Sequence, residues 1–195
     1  FSIIRAIPYD RCNTTMQKFT LCESCSAEYH NPASRRFHAQ PNACPGCGPL
    51  LWVEDSQGTK INSEKTIDPI AHAAQLIKSG HIVAIKGIGG FQLACDAANN
   101  LAVNRLRQRK QRGNKAFAVM AKNTDTIKPF VKISAQEAEL LHSSAAPIVI
   151  MPKHNTQLSP AIAPGQNTLG FMLPYTPLHA MLMEALKNPH SFDIW

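Results

Sequence analysis

The chain has 195 residues, of which 44% are hydrophobic and 17% are charged, and its formal net charge is +7. This composition excludes a disordered chain, and the lack of an apolar run of roughly 18 residues excludes a membrane-spanning helix, so we expect no membrane partner. The positive charge favours anionic partners such as nucleotide phosphates, RNA or an acidic protein, although a basic surface also serves solubility alone.

Both ends of the sequence are typical of cut points. The chain begins at Phe1 instead of a methionine, and it ends at Trp195 inside an apolar segment, whereas natural termini are usually polar. We therefore expect a fragment of a longer protein. No signal peptide opens the sequence, which favours a cytoplasmic location.

The first motif is a set of four cysteines with the pattern C-x2-C-x18-C-x2-C, at Cys22, Cys25, Cys44 and Cys47. This spacing is typical of a zinc site with four thiolate ligands. Two residues between cysteines let a tight turn aim both sulfurs at one ion, and four thiolates leave no ligand position for water. The sequence therefore predicts structural zinc, in preference to disulfides or a redox pair, because disulfides are disfavoured in the cytosol.

The remaining candidate ligands near this motif are expected to be structural. Cys12 and Cys95 lack a nearby catalytic pattern, which favours ordinary small side chains over nucleophiles. His30 and His38 lie between the two cysteine pairs, and four thiolates already complete the coordination.

A polar segment at residues 54–62 predicts a linker, and helical and strand patterns alternate beyond it. Asp68 followed by Pro69 predicts a helix start, and Ser134 with Glu137 predicts a capping box. The predicted helices are 68–80, about 100–109, 134–142 and 176–186, and the predicted strands are 82–85, 117–120, 147–151 and 169–173. This alternation predicts an α/β or α+β domain with a mixed sheet.

A glycine-rich segment directly follows the first predicted strand and reads Lys86-Gly-Ile-Gly-Gly-Phe91. Glycines let backbone N–H groups approach an anion, and Lys86 adds a positive charge. The spacing is not that of a Walker A loop, so a tight turn without a ligand is an equally good interpretation.

A basic run follows, with six cations and no acid within eleven residues. On a helix, three of its arginines would share one face and repel each other, which a bound anion would relieve. The alternative is a solvated helix face. The run consists of Arg105, Arg107, Arg109, Lys110, Arg112 and Lys115, and the three arginines are Arg105, Arg109 and Arg112.

These motifs and their order resemble the HypF family, the carbamoyltransferases of [NiFe]-hydrogenase maturation. The stretches that carry the resemblance are FSIIRAIPYDR (1–11), the finger with EYHNPASRRFHAQPNACPGCGP (28–49), AIKGIGGFQLACDA (84–97), LRQRKQRGNKAFAVM (106–120), APIVIM (146–151) and IAPGQNTLGFMLPYTPLH (162–179). The family usually has histidine where this chain has Gln92, and prolines where it has Gly113 and Ala116.

The resemblance implies a YrdC-like nucleotide-binding domain preceded by a four-cysteine finger. The implied boundaries are 1–15 for a connector between fingers, 16–53 for the finger, 54–62 for a linker and 63–195 for the YrdC-like domain, truncated at its C-terminus. The nucleotide and phosphate ligands implied by the resemblance are Lys86, Gly87, Gly89, Gly90, Lys110, Arg112 and Lys115.

The activity implied by the resemblance is ATP-dependent. The family makes carbamate from carbamoyl phosphate, condenses it with ATP to carbamoyl-adenylate, and transfers the carbamoyl group to the C-terminal cysteine of a HypE-type acceptor protein. The expected cofactors are structural Zn²⁺ and ATP with Mg²⁺, and we expect the 195 residues alone to be inactive. The alternatives are a module that binds double-stranded RNA, a threonylcarbamoyl-adenylate-forming YrdC enzyme, and a non-catalytic zinc docking module.

Overall fold

The computed structural model describes residues 3–61, 68–88, 90–154, 157–186 and 193–194, and the chain divides into two units, residues 1–52 and 53–195. The first unit has little regular structure. It contains 3-10 helices at Arg11–Asn13 and Thr15–Lys18 and the helix α1 at Glu23–His30. The helix α1 lies inside the finger, where the sequence predicted only turns.

The second unit contains five α-helices among its described residues. Asp68 accepts a hydrogen bond from the Ile70 N–H, and Ser134 forms a reciprocal capping box with Glu137, so both predicted helix starts are confirmed. The helices are α2 (Pro69–Lys78), α3 (Asn100–Lys110), α4 (Thr124–Ile127), α5 (Ala135–His142) and α6 (Pro177–Leu186). The sequence missed α4, which is a single turn.

The strands form two sheets. A hairpin pairs β1 (Val83–Gly87) with β2 (Gly90–Ala94), and a four-stranded sheet has the order β4-β5-β3-β6, with β3 at Ala118–Met120, β4 at Val149–Pro152, β5 at Thr168–Met172 and β6 at Asp193–Ile194. The pair β3–β5 is parallel, and the other neighbours are antiparallel. The predicted mixed sheet is therefore confirmed.

The sheet separates two hydrophobic clusters. Val119 and Phe171 pack into one cluster with α3, α4 and α5, and their neighbours Met120 and Met172 pack into the other with α2 and α6. Successive strand residues point to opposite faces, so helices cover both faces of the sheet at these four residues. None of the helices within the described ranges is long and apolar enough to cross a membrane.

Two segments differ from the sequence prediction. The segment expected to be a loop after Ile85 contains the strand β2, because Lys86 and Gly87 pair with Phe91 and Gly90. The expected linker folds, over its described residues, into a turn in which Asp55 accepts hydrogen bonds from two following backbone N–H groups.

Candidate functional site

The four predicted zinc ligands come together in the first unit. The sulfur atoms of Cys22, Cys25, Cys44 and Cys47 all lie within 4.8 Å of one another. The Sγ–Sγ distances Cys22–Cys44 and Cys44–Cys47 are both 3.7 Å. A regular tetrahedron with Zn–S bonds of about 2.3 Å has sulfur–sulfur edges of about 3.8 Å, so the donor set fits one zinc ion.

Two different local structures aim these sulfurs. Cys22 is the N-cap of α1 and Cys25 lies in its first turn, so the first pair sits on a helix end instead of the expected tight turn. The second pair follows the predicted turn, where the Gly46 N–H points at Cys44 Sγ at 3.3 Å. A Cβ at Gly48 would lie 2.8 Å from Ala43 Cβ, so this position requires glycine.

The thiols of the metal-free cluster have unequal acidity. Burial raises the pKa of Cys25 to about 12, and side-chain hydrogen bonds with the other thiols add to this. A backbone hydrogen bond from Cys44 lowers the pKa of Cys47 to about 6. Because zinc binds thiolates, the ion must displace the Cys25 proton at neutral pH.

A network of polar residues that sequence reasoning missed holds the finger together. Arg11 donates hydrogen bonds to the backbone carbonyls of Phe19, Gln40 and Asn42 at 2.6–2.7 Å. The Asn42 amide donates to the carbonyl of Cys25 at 3.0 Å, which ties the two cysteine pairs together. Residues 1–15 therefore contribute to the metal site, and nothing in the sequence distinguishes Arg11 from Arg5 for this role.

The finger is a structural zinc site. All six cysteines are free, so the disulfide alternative has no support in the structure. His30 contacts the Ser26 carbonyl and His38 lies against the Tyr29 ring, as expected for structural residues. With four thiolates around the ion, no position is open for a substrate.

The structure divides the basic run into fixed and free cations. Arg105 donates to the Gly80 carbonyl, and Arg107 and Arg112 donate to carbonyls of the loop that follows α3. The prediction that Arg112 shares a helix face with Arg105 and Arg109 is wrong, because α3 ends at Lys110.

Three cations of the run stay exposed to solvent. The side chains of Arg109, Lys110 and Lys115 take part in none of the hydrogen bonds or ion pairs found in the described part of the chain. They are therefore available for an anion, together with the outer edge of Arg112.

The predicted glycine loop is the end of the β1–β2 hairpin. Lys86 and Gly87 belong to β1 and Gly90 to β2, whereas Gly89 lies outside the described residues. The Lys86 ammonium lies 5.0 Å from the centre of the Phe91 ring and stays exposed. Lys86 and Gly87 thus lie in a hairpin, apart in sequence and in element from the loop after α3.

A polar cluster lies beside this hairpin. Gln92 donates to the Tyr175 hydroxyl at 2.7 Å, and the Tyr175 ring meets the His179 ring edge-on at 4.5 Å. The buried carbonyl oxygen of Gln92 has no hydrogen-bond partner among the described residues. Burial lowers the pKa of His179 to about 4, so its ring is neutral at physiological pH.

Two family models match the chain. The Sua5/YciO/YrdC model, described as telomere recombination, matches residues 75–192, and the HypF finger model matches residues 21–54. The first match covers more than half of the chain and the second contains all four cysteine ligands.

The chain is similar to a carbamoyltransferase HypF of Rhodobacter capsulatus, with 50% identity over 95% of this chain and 24% of that protein. It is also similar to the crystal structure of full-length HypF in its phosphate- and nucleotide-bound form, with a TM-score of 0.84, 45% identity and coverage of 99% of this chain and 24% of that one. The structure of HypF from T. kodakarensis gives a TM-score of 0.86 at 45% identity, over 100% of this chain and 25% of that one. The chain spans about a quarter of the length of these relatives.

Proposed function

The chain belongs to the HypF family, as the segment in which a HypF finger precedes a Sua5/YciO/YrdC domain, and we propose that it is the nucleotide-binding part of an ATP-dependent carbamoyltransferase. The observation that carries the proposal is a pair of exposed lysines, Lys110 and Lys115, beside a loop that Arg107 holds by hydrogen bonds. The likeness to a nucleotide-bound HypF over 99% of this chain supports the same assignment.

The proposed reaction activates carbamate. A carboxylate oxygen of carbamate, formed from carbamoyl phosphate, attacks the α-phosphorus of ATP, and pyrophosphate leaves. The carbamoyl-adenylate then gives its carbamoyl group to the C-terminal cysteine thiolate of a HypE-type acceptor, releasing AMP. These steps belong to the whole protein, of which this chain supplies the nucleotide site.

The phosphate site would consist of the cations that remain free. Lys110 and Lys115, with the outer edge of Arg112, would neutralise the triphosphate and the departing pyrophosphate, and a Mg²⁺ ion bound with ATP would share this charge. Lys86 and the backbone at Gly87 and Gly90 would add contacts from the hairpin, and Gly89, which lies outside the described residues, stays in the proposed ligand set on the resemblance alone.

An exposed strip of the sheet offers a place for the adenosine. Ala118 of β3 pairs with Gly170 of β5, which pairs with Ile150 of β4, so the three share one face. Ile150 is 68% exposed and its neighbour Ile148 is 52% exposed. The helices α2 and α6, which cover Met120 and Met172 on this face, therefore leave the strip open. Because Lys115 precedes Ala118 by three residues, a nucleotide could place its phosphates on the loop and its base on the strip.

The finger has a supporting role in this proposal. Its zinc stabilises a unit too small to bury a large core, and its four thiolates require a reducing compartment, which supports a cytoplasmic location. We also propose the connector, finger, linker and YrdC-like domain at 1–15, 16–53, 54–62 and 63–195.

Calorimetry on the zinc-loaded chain tests the nucleotide site. We expect the double variant Lys110→Met/Lys115→Met to bind MgATP at least tenfold more weakly than the wild type, since about two charge-assisted contacts are lost. The matched control is Lys132→Met, which removes an equally exposed lysine elsewhere in the unit. Unchanged affinity in the double variant would contradict the site.

Two further measurements separate the alternative functions. Double-stranded RNA titrated at physiological salt should bind more weakly than MgATP, and the opposite order would favour an RNA-binding module. In the full-length protein, pyrophosphate exchange should require carbamoyl phosphate and ignore threonine. Exchange that depends on threonine would instead indicate a threonylcarbamoyl-adenylate synthase.

A further inference from the structure

The Arg107 side chain uses every one of its hydrogen-bond donors inside the protein. Its Nε and Nη2 groups donate to the carbonyls of Ala161 and Ile162. Its Nη1 group donates to the carbonyls of Gly113 and Lys115. A guanidinium has five N–H bonds, and these five contacts use all of them, so Arg107 has no donor left for a ligand.

These contacts join two separate parts of the chain. Gly113 and Lys115 belong to the loop between α3 and β3, whereas Ala161 and Ile162 belong to the 3-10 helix at Pro160–Ile162. The Phe117 N–H also donates to the Ile162 carbonyl at 2.8 Å. Arg107 therefore links the loop, through Nη1, to the 3-10 helix, through Nε and Nη2.

The loop has little intrinsic stiffness. Gln111 has φ of 48° and Gly113 has φ of 57°, so two of its residues adopt the left-handed conformation, and glycine there leaves the unbound loop many alternatives. The conformation must then be imposed by contacts with the rest of the fold, and Arg107 supplies two of them, to the carbonyls of Gly113 and Lys115.

The same contacts orient the cations that remain free. The Phe117 ring lies 4.6 Å from Arg107 Cζ and 5.1 Å from Arg112 Cζ, so one ring contacts both guanidinium groups. Arg112 is held further by two hydrogen bonds to the Ala116 carbonyl. Lys110 and Lys115 flank this fixed core and stay exposed.

We propose that Arg107 is a positioning residue of the nucleotide site, which holds the 111–116 loop so that Lys110, Arg112 and Lys115 face the phosphates of ATP together. This inference rests on the proposed function and goes beyond it, because it assigns a half-buried arginine an effect on affinity without contact to the ligand. Preorganisation of this kind raises affinity by removing the cost of ordering the loop on binding.

The test compares MgATP affinity, by calorimetry on the zinc-loaded chain, in the wild type, Arg107→Met and Arg107→Lys. We expect a loss of about tenfold in the methionine variant and a nearly equal loss in the lysine variant, because an ammonium cannot reach four carbonyls in a planar fork. The control is Lys132→Met, which removes an exposed cation outside the basic run, and there we expect a change of less than about twofold. Hydrogen exchange should become faster at residues 112–116 and stay unchanged in α2 and α6.

A double-mutant cycle distinguishes positioning from a general loss of structure. If Arg107 acts through the lysines, Arg107→Met should weaken binding much less when Lys110 and Lys115 are already methionine. Additive effects would overturn the inference, as would wild-type affinity in a folded Arg107→Met or Arg107→Lys variant. If the methionine variant does not fold, the lysine variant, which keeps the charge, decides alone. A wild-type chain that fails to bind MgATP would refute the proposed function itself, and the inference with it.

Discussion

The buried imidazole of His179 should make the second unit sensitive to acid. Its side chain is 0% exposed, and burial lowers its pKa from 6.5 to about 4. Between these values the unfolded chain binds a proton that the folded chain does not, so the free energy of unfolding rises with pH across this window. The contribution is fully present above pH 6.5 and is lost as the pH falls towards 4.

The size of this effect follows from the two pKa values. Each pKa unit corresponds to about 1.4 kcal/mol, so the full contribution is about 3 kcal/mol, and most of it is lost at pH 4.5. A loss of that size is a large part of the total stability of a small domain.

The measurement compares the wild type with His179→Gln, whose side chain does not titrate. Hydrogen exchange in increasing urea, followed on peptides from β3 and β5, reports the second unit alone and so avoids the acid sensitivity of the zinc thiolates. We expect the difference in unfolding free energy between the two proteins to change by about 2 to 3 kcal/mol from pH 7.5 to 4.5. His81→Gln, which removes an exposed histidine, should follow the wild type. Parallel curves for the wild type and His179→Gln would refute the reasoning.

Three further predictions concern the finger. Cys44→Ser should abolish stoichiometric zinc, measured by mass spectrometry, and unfold the first unit, whereas Cys12→Ser should retain the metal. Arg11→Met should lower the unfolding free energy of this unit by about 3 kcal/mol, because three carbonyls lose a charged donor; wild-type hydrogen exchange there would contradict this. Gly48→Ala should lower thermal stability, because its Cβ would lie 2.8 Å from a neighbouring Cβ and 3.0 Å from a carbonyl oxygen. Gly46→Ala, whose Cβ would meet only a sulfur at 3.6 Å, should be nearly neutral.

Local signals in the sequence were reliable where the interaction itself is local. The N-cap at Asp68 and the capping box at Ser134 predicted two helices, because a cap joins residues only two or three positions apart. The cysteine spacing likewise predicted a metal cluster, since each pair needs only a short turn to aim its sulfurs.

The strand β2 was missed for the opposite reason. Its residues Gly90–Ala94 carry glycine and the exposed Phe91, which is a pattern typical of a loop. They form a strand because β1 offers them hydrogen-bond partners across a tight turn. The preference of such a segment depends on its partner more than on its composition.

By itself, the sequence determined the zinc ligands, the starts of α2 and α5 and the mixed α/β character, because these follow from spacing and patterning along the chain. Only the tertiary structure decided which cations of the basic run are free. A count of charges does not distinguish Arg107 and Arg112 from the two lysines, Lys110 and Lys115. In the folded chain, however, the guanidinium groups of both arginines donate to backbone carbonyls. A cationic side chain is available to a ligand only when its donors are not already bonded within the protein. Those bonds include partners up to 55 residues away in the chain, which sequence patterns do not reveal.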